Sequence, residues 1–140
     1  EVIIQTYTQA HYSIQAAAQQ DYMAFYRKEL AFRHEMGYPP YSLLARILVS
    51  GTVEEEVVKV AHRVADVMRG YVHAGELEAR VSILGPSPAP LSMVRNRYRW
   101  HVLLKGEEAT VRETLTHLTT ASLNTDDCNV SIDVSPCSLL

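Results

Sequence analysis

The spacing of apolar residues changes from helical to strand-like at a Tyr-Pro-Pro-Tyr segment in the first third of the chain. Before this segment, residues 1–7 predict a strand, and residues 11–20 predict a helix through the propensity of their Ala and Gln side chains. Residues 21–36 predict a second helix, because apolar side chains recur there at steps of three and four. Asp21 is placed to cap this helix and Gly37 to end it.

A domain boundary is predicted at residues 38–41. Proline lacks an N–H donor and biases the residue before it towards extended geometry, so the two consecutive prolines cannot continue the helix. The boundary divides the chain into a segment of residues 1–37 and a domain of residues 38–140.

The domain begins with a strand and a helix. Apolar residues alternate through residues 42–50, which predicts a mostly buried strand. After Gly51, Thr52 and Glu55 match a capping box. Glu55 is the middle one of three consecutive glutamates in what would be the first helical turn. The predicted apolar stripe consists of Val57, Val60, Ala61, Val64, Val67 and Met68. The helix is expected to close within residues 70–75.

The remaining elements complete a β-α-β-β-α-β order. Further strands are predicted at residues 80–84, 98–105 and 129–134, and a helix from residue 107 to about 122. Residues 85–90, Gly-Pro-Ser-Pro-Ala-Pro, predict a stiff connector between two strands that need not be adjacent. The order specifies an α+β, ferredoxin-like sheet with both helices on one face, in which the first and third strands form the central pair.

Composition bounds the class of protein. The chain has 140 residues and a net charge of -3, and no apolar run approaches the roughly 18 residues of a membrane span, so no membrane partner is expected. Cys128 and Cys137 fit neither a disulfide scaffold nor a zinc knuckle, and the six histidines lack metal-binding spacing. These features predict a cytoplasmic protein without a metal site. The missing initiator Met and the abrupt opening strand predict a fragment of something larger.

The cations are concentrated against this acidic balance. Residues 91–106 contain four Lys or Arg residues and no carboxylate. If Tyr98 and Trp100 point into the core, the alternation of a strand places the cations on the open face of the sheet. Arg46 joins them from the neighbouring strand. The cations predicted to bind DNA phosphates are Arg46, Arg95, Arg97, Arg99 and Lys105.

Two other interpretations stay open. Arg46 could pair with Asp133 on the adjacent edge strand, and the remaining arginines could solubilise the sheet or pack against another domain or a partner protein. A small phosphatase of the acylphosphatase type shares this strand order and uses Arg and Asn, which makes Arg97 and Asn96 the residues to check. The turn after the first strand is short for a phosphate-cradling loop. No other catalytic motif is present.

Several blocks of the sequence together resemble the C-terminal region of the bacterial primosomal protein N′ family of replication-restart DNA helicases. The most specific are Gly-Tyr-Pro-Pro-Tyr at residues 37–41, Gly-Pro-Ser-Pro-Ala-Pro at 85–90 and Arg-Tyr-Arg-Trp at 97–100. The resemblance extends over essentially the whole chain.

The resemblance implies a 3′-5′ ATP-dependent DNA helicase that recognises stalled forks and restarts replication by primosome assembly. Residues 1–37 would then be the end of the second helicase lobe and its connecting helix. Residues 38–140 would be a C-terminal domain similar to ribosomal protein S10. The family's sites for ATP with magnesium and for zinc lie upstream, so no cofactor and no catalytic residue is expected within this chain.

The resemblance also implies partners. Family members bind forked or single-stranded DNA, the acidic tail of single-stranded DNA-binding protein, and other primosome proteins. Residues 97–100 match the family pattern directly. The second helix of the domain instead begins with an acidic turn where the family pattern has an arginine, and Arg112 is the predicted substitute for binding the acidic tail.

Overall fold

The computed structural model describes residues 2–121 and 123–137, and it divides between Gly37 and Tyr38 into two units. Within these residues the helices are α1 (Tyr12–Ala18), α2 (Tyr22–Glu35), α3 (Glu54–Ala74) and α4 (Glu108–Thr120). The strands are β1 (Leu43–Gly51), β2 (Val81–Val94), β3 (Arg97–Gly106) and β4 (Cys128–Val134). The predicted end of the last helix, Ser122, lies outside the described residues, as do Glu1 and residues 138–140.

The first unit contains α1 and α2. The Asp21 carboxylate accepts a hydrogen bond from the Ala24 N–H at 2.9 Å, which confirms the predicted cap of α2. Between the helices, the Tyr12 hydroxyl donates to the Glu29 carboxylate, which also pairs with Arg33 at 2.6 Å. No residue of α2 is buried along its described length, so its broad apolar face is largely exposed.

The predicted opening strand is wrong for the residues that can be checked. Residues 2–7 form no strand. Strand geometry is held by hydrogen bonds to a neighbouring strand, and none of the strands in the described residues pairs with this segment. The side chains of Val2, Ile3 and Tyr7 are exposed, so they pack into no core among the described residues.

The second unit has the predicted α+β architecture. Its described strands form one antiparallel sheet in the order β2-β3-β1-β4, which confirms β1 and β3 as the central pair. Both α3 and α4 pack on the same face. The core between helices and sheet is formed largely by fully buried Ala45, Ile47, Val49, Val57, Val64, Met68, Val102, Leu104 and Val111.

The predicted connector at residues 85–90 is wrong, because these residues belong to β2. This strand lies at the edge of the sheet and pairs with β3 along a hairpin, with register shifts between Leu84 and Ser87 and between Pro88 and Met93. Proline lacks an N–H but is tolerated at an edge or a bulge, where a ladder hydrogen bond is already absent. The second and third strands of the domain are therefore direct neighbours.

The start of α3 also differs from the prediction, whereas its end at Ala74 lies within the predicted residues 70–75. The N-cap is Val53, which makes no side-chain cap, so Thr52 and Glu55 form no capping box. The reason is that β1 continues through Gly51, which pairs with both Tyr98 and Cys128, so the helix begins one residue later than the box requires. The helix then continues past Gly70 to Ala74, because Val72 is buried in the core.

The uncapped start of α3 gives a stability prediction. Val53 is 49% exposed and has the extended backbone of an N-cap, with φ -111 and ψ 116. Val53→Ser should therefore raise the free energy of unfolding by about 1 kcal/mol, because the hydroxyl can accept a hydrogen bond from an otherwise unpaired N–H. Urea unfolding measures this change. Val53→Ala is the control, and an equal gain in both variants would contradict the capping explanation.

Candidate nucleic-acid interface

The alternation along β3 separates core residues from cations, as predicted. Val102 and Leu104 are fully buried beneath the helices, and Tyr98 and Trp100 pack against the same core. Successive side chains of a strand point to opposite faces, so the odd-numbered residues of β3 lie on the face away from the helices. We call this helix-free surface of the sheet the open face.

The register of β1 brings Arg46 onto the open face. Arg46 is opposite Leu103 on β3 and opposite Asp133 on β4. Its Nη2 lies 3.3 Å from the Asp133 carboxylate, and only 12% of its side chain is exposed. The alternative pairing considered from the sequence is therefore observed, and it compensates part of the Arg46 charge.

Arg97 and Arg99 donate hydrogen bonds to backbone carbonyl oxygens, which do not neutralise their positive charges. Arg97 donates to the Ser50 carbonyl at 3.1 Å, and Arg99 donates to the Leu91 carbonyl at 3.3 Å. A carbonyl oxygen fixes the position of a guanidinium group but carries no formal charge. Each guanidinium has five N–H donors, so donors remain for a phosphate.

The two other predicted DNA contacts are at opposite ends of β3. The Lys105 ammonium lies 4.5 Å from the centre of the Tyr38 ring, in a cation–π contact. Arg95 is exposed in the two-residue turn between β2 and β3, where it and Asn96 have positive φ values of 50 and 60. The turn is of the type I′ family that joins tightly twisted strands.

Charge is segregated between the two faces of the second unit. The strands and the hairpin turn contain five Lys or Arg residues and one carboxylate, Asp133. The other residues of 38–140 contain five Lys or Arg residues and eleven carboxylates. The overall acidity of the chain thus lies on the helices and loops, and the sheet is locally basic.

Buried His101 lies among these cations on the open face. It is opposite Leu48 on β1 and Ser87 on β2, and its Nδ1 finds no hydrogen-bond partner among the described residues. Burial, followed by the nearby Arg46 and Arg99 charges, holds the pKa of His101 below its ordinary value. We infer that the ring is neutral at pH 7.

A lowered pKa for His101 predicts pH-dependent stability. As pH falls below about 6.5, the unfolded chain binds a proton at this residue before the folded chain does, so folding becomes less favourable. Unfolding free energy should be highest above pH 6.5 and decrease towards pH 5. The slope from this residue is less than about 1.4 kcal/mol per pH unit.

Urea unfolding at several pH values, with His101→Gln as the comparison, measures this contribution. The difference between the two proteins isolates His101 from the other histidines, which are common to both. The variant should lose less stability than the parent between pH 7 and pH 5. Parallel pH profiles would contradict the assignment.

Arg112 does not join the open face. It lies on α4, on the other side of the sheet, and its Nη2 pairs with the Glu108 carboxylate at 2.9 Å. This i,i+4 ion pair is exposed and lies in the first turns of α4, which begins with acidic residues. The role of Arg112 in binding an acidic tail stays a prediction.

The turn after β1 consists of Thr52 and Val53, which is short for the phosphate-cradling loop that the alternative phosphatase interpretation requires. Asn96 lies in the hairpin turn, whereas Arg97 extends back to the Ser50 carbonyl.

Among residues 2–121 and 123–137, no group of three His, Cys, Asp or Glu side chains could hold a metal ion. In the same residues, none of the helices combines the length and apolar character needed to cross a membrane.

Comparison with known families decides the identity of the chain. The family model described as the primosomal protein N C-terminal domain matches residues 34–137. The chain belongs to this family. The match includes the whole sheet, both of its helices and the open face of this primosomal protein N C-terminal domain.

Individual relatives agree with this assignment. The chain is 38% identical to the replication restart protein PriA of Bacillus subtilis (strain 168), over 96% of this chain and 17% of that protein. It is 40% identical to the replication restart protein PriA of a Synechocystis species, over 75% of this chain and 12% of that protein. This chain thus spans less than a fifth of either relative.

Proposed function

We propose that this chain is a DNA-binding part of a replication-restart helicase, with the open face of its sheet as the surface for DNA phosphates. The residues predicted to contact DNA phosphates are the cations of the strands and the hairpin turn, namely Arg46, Arg95, Arg97, Arg99 and Lys105. Residues 1–37 belong in this proposal to the end of the preceding helicase lobe.

The segregation of charge is the observation that carries the proposal. A sheet with five cations and one carboxylate attracts a polyanion even though the chain as a whole is acidic. Arg95, Arg97 and Arg99 form the central group. Two of them are held by backbone carbonyls, and the third lies in an exposed turn. Contacts between such arginines and DNA phosphates position a protein on DNA without reading base sequence.

Family membership supports proposals about the partners and cofactors of the longer protein. We propose forked or single-stranded DNA as the ligand of this chain, and single-stranded DNA-binding protein and other primosome proteins as its protein partners. ATP-dependent unwinding, with its magnesium and zinc ions, is assigned to parts of the longer relatives that this chain does not span. This chain contributes binding in that scheme, and we assign it no catalytic step.

Salt dependence tests the proposal. Neutralising about three phosphates of a single strand should give a slope of about -2 when log affinity is plotted against log salt concentration. The experiment is a fluorescence-anisotropy titration of the 140-residue chain with a labelled forked DNA at several salt concentrations. A slope near zero, or no binding, would instead favour the open face as an interface with another domain or protein.

A further inference from the structure

The free end of the β2–β3 hairpin carries exposed apolar side chains that phosphate binding does not explain. Leu91 is 50% exposed, Met93 49% and Val94 39%. Single exposed apolar residues are ordinary on protein surfaces. Here three lie within four positions, beside the turn formed by Arg95 and Asn96. We call residues 91–96 the hairpin tip.

The hairpin tip has a defined shape. Met93 pairs with Tyr98 and Val94 pairs with Arg97, which closes a two-residue turn. The Arg99 side chain donates to the Leu91 carbonyl across the hairpin. Arg97 ties the other strand to the Ser50 carbonyl of β1. The apolar side chains are therefore presented from a fixed support, which lowers the entropy cost of binding.

Apolar groups lie on both sides of the hairpin tip. Met93 shares a face with Tyr98, towards the helix side, whereas Val94 shares a face with Arg97, towards the open face. A flat docking patch would place its apolar groups on a single face. This arrangement instead resembles a narrow wedge.

The charge around the wedge selects its partner. No carboxylate occurs between Leu84 and Gly106, whereas Arg95, Arg97 and Arg99 flank the apolar residues. A ligand that matches must be an anion with accessible apolar surfaces. Duplex DNA provides the anion but stacks its base faces away, and unpaired bases at a branch provide both. A protein partner would have to be both acidic and apolar, and the absence of DNA binding by the parent chain would favour such a partner.

We infer that the hairpin tip binds unpaired bases at the junction of branched DNA. Met93 and Val94 pack against base faces, and Arg95 and Arg97 hold the flanking phosphates. This inference rests on the proposed function and adds a structural preference to it: the cations of the open face bind the phosphates of any DNA strand, whereas the wedge favours DNA with an open junction.

The experiment compares two double variants of the 140-residue chain on two DNAs. Met93→Ser/Val94→Ser removes the wedge. Ile132→Ser/Val134→Ser is the matched control, because those β4 residues are 37% and 39% exposed and lie at the opposite edge of the sheet from β2. Binding is measured by anisotropy to a fork and to a blunt duplex. A 2-aminopurine placed at the unpaired junction position reports the environment of that base.

The wedge variant should bind the fork about tenfold more weakly and lose the fluorescence change of 2-aminopurine. Its affinity for blunt duplex and its salt slope should match the parent, because no charge is removed. The control variant should behave as the parent on both DNAs. Thermal unfolding checks that both variants are folded, and the single variant Val94→Ser provides a milder test if the double variant is not.

Two results would overturn the inference while leaving the proposed function intact. One is an unchanged fork preference in the folded wedge variant. The other is an equal loss on fork and duplex, which would mean that the tip supports the fold or general binding. A parent chain that binds neither DNA would overturn the proposed function as well, and the tip would then be assigned to a protein interface.

Discussion

Gly106→Ala should destabilise the second unit by about 4 kcal/mol or more, enough to unfold a marginally stable domain. A Cβ at Gly106 would lie 2.2 Å from the Arg80 carbonyl oxygen and 2.7 Å from the Val81 Cα. Both are backbone atoms, one in Val81 of β2, which pairs with Gly106, and one in the residue before it, so no side-chain rotation relieves the clash. The backbone at the start of β2 would have to shift away from β3.

Gly70→Ala is the matched control for this substitution. Gly70 is exposed within α3, and a Cβ there meets no heavy atom within 4 Å. Alanine should stabilise the helix by about 0.5–1 kcal/mol, since glycine is the poorer helix former. Urea unfolding followed by circular dichroism compares the two variants. Native-like stability of Gly106→Ala would contradict the close approach of β2 and β3.

Arg97→Ala/Arg99→Ala should weaken binding to forked DNA about 100-fold. A charged hydrogen bond lost at each of two phosphates is worth about 1.4 kcal/mol or more, or tenfold each in affinity. The salt slope should fall from about -2 to about -0.7, because two of three neutralised phosphates are lost. The loss should be similar for different base sequences, since phosphate contacts do not read bases.

The matched control removes the same charge from the other face. Lys59 and Arg63 are exposed on α3, so Lys59→Ala/Arg63→Ala lowers the net charge equally but leaves the open face intact. Anisotropy at two salt concentrations compares both variants with the parent. Equal weakening would mean that binding depends on net charge alone, and unchanged binding in the first variant would remove Arg97 and Arg99 from the interface.

The order of elements in the second unit could be predicted because its signals are local. Alternation in β1 and β3 and the helical stripe of α3 each need only a short window of sequence. The strand predicted at residues 1–7 also rested on a short stretch of sequence, and it failed. Pairing is not local, and the described residues provide that segment with no neighbouring strand.

The proline-rich part of β2 shows a second limit of local reasoning. Residues 85–90 contain three prolines, which in a central strand would each interrupt the ladder. Whether a strand lies at the edge depends on the order of the whole sheet. The sequence interpretation therefore separated β2 from β3, and it missed the hairpin and the exposed Met93 and Val94 at its tip.

By itself the sequence determined the predicted division of the chain into two parts, the β-α-β-β-α-β order and the face of β3 that carries cations. The reason is that the spacing of apolar residues and the alternation of side chains along a strand are properties of consecutive residues. Only the tertiary structure decided which group each cation contacts. The register placed Asp133 beside Arg46 and the Ser50 carbonyl beside Arg97, and the segment before β1 placed the Tyr38 ring beside Lys105. Those neighbours are distant in sequence, and contact between distant residues is fixed by how the strands pair and the helices pack.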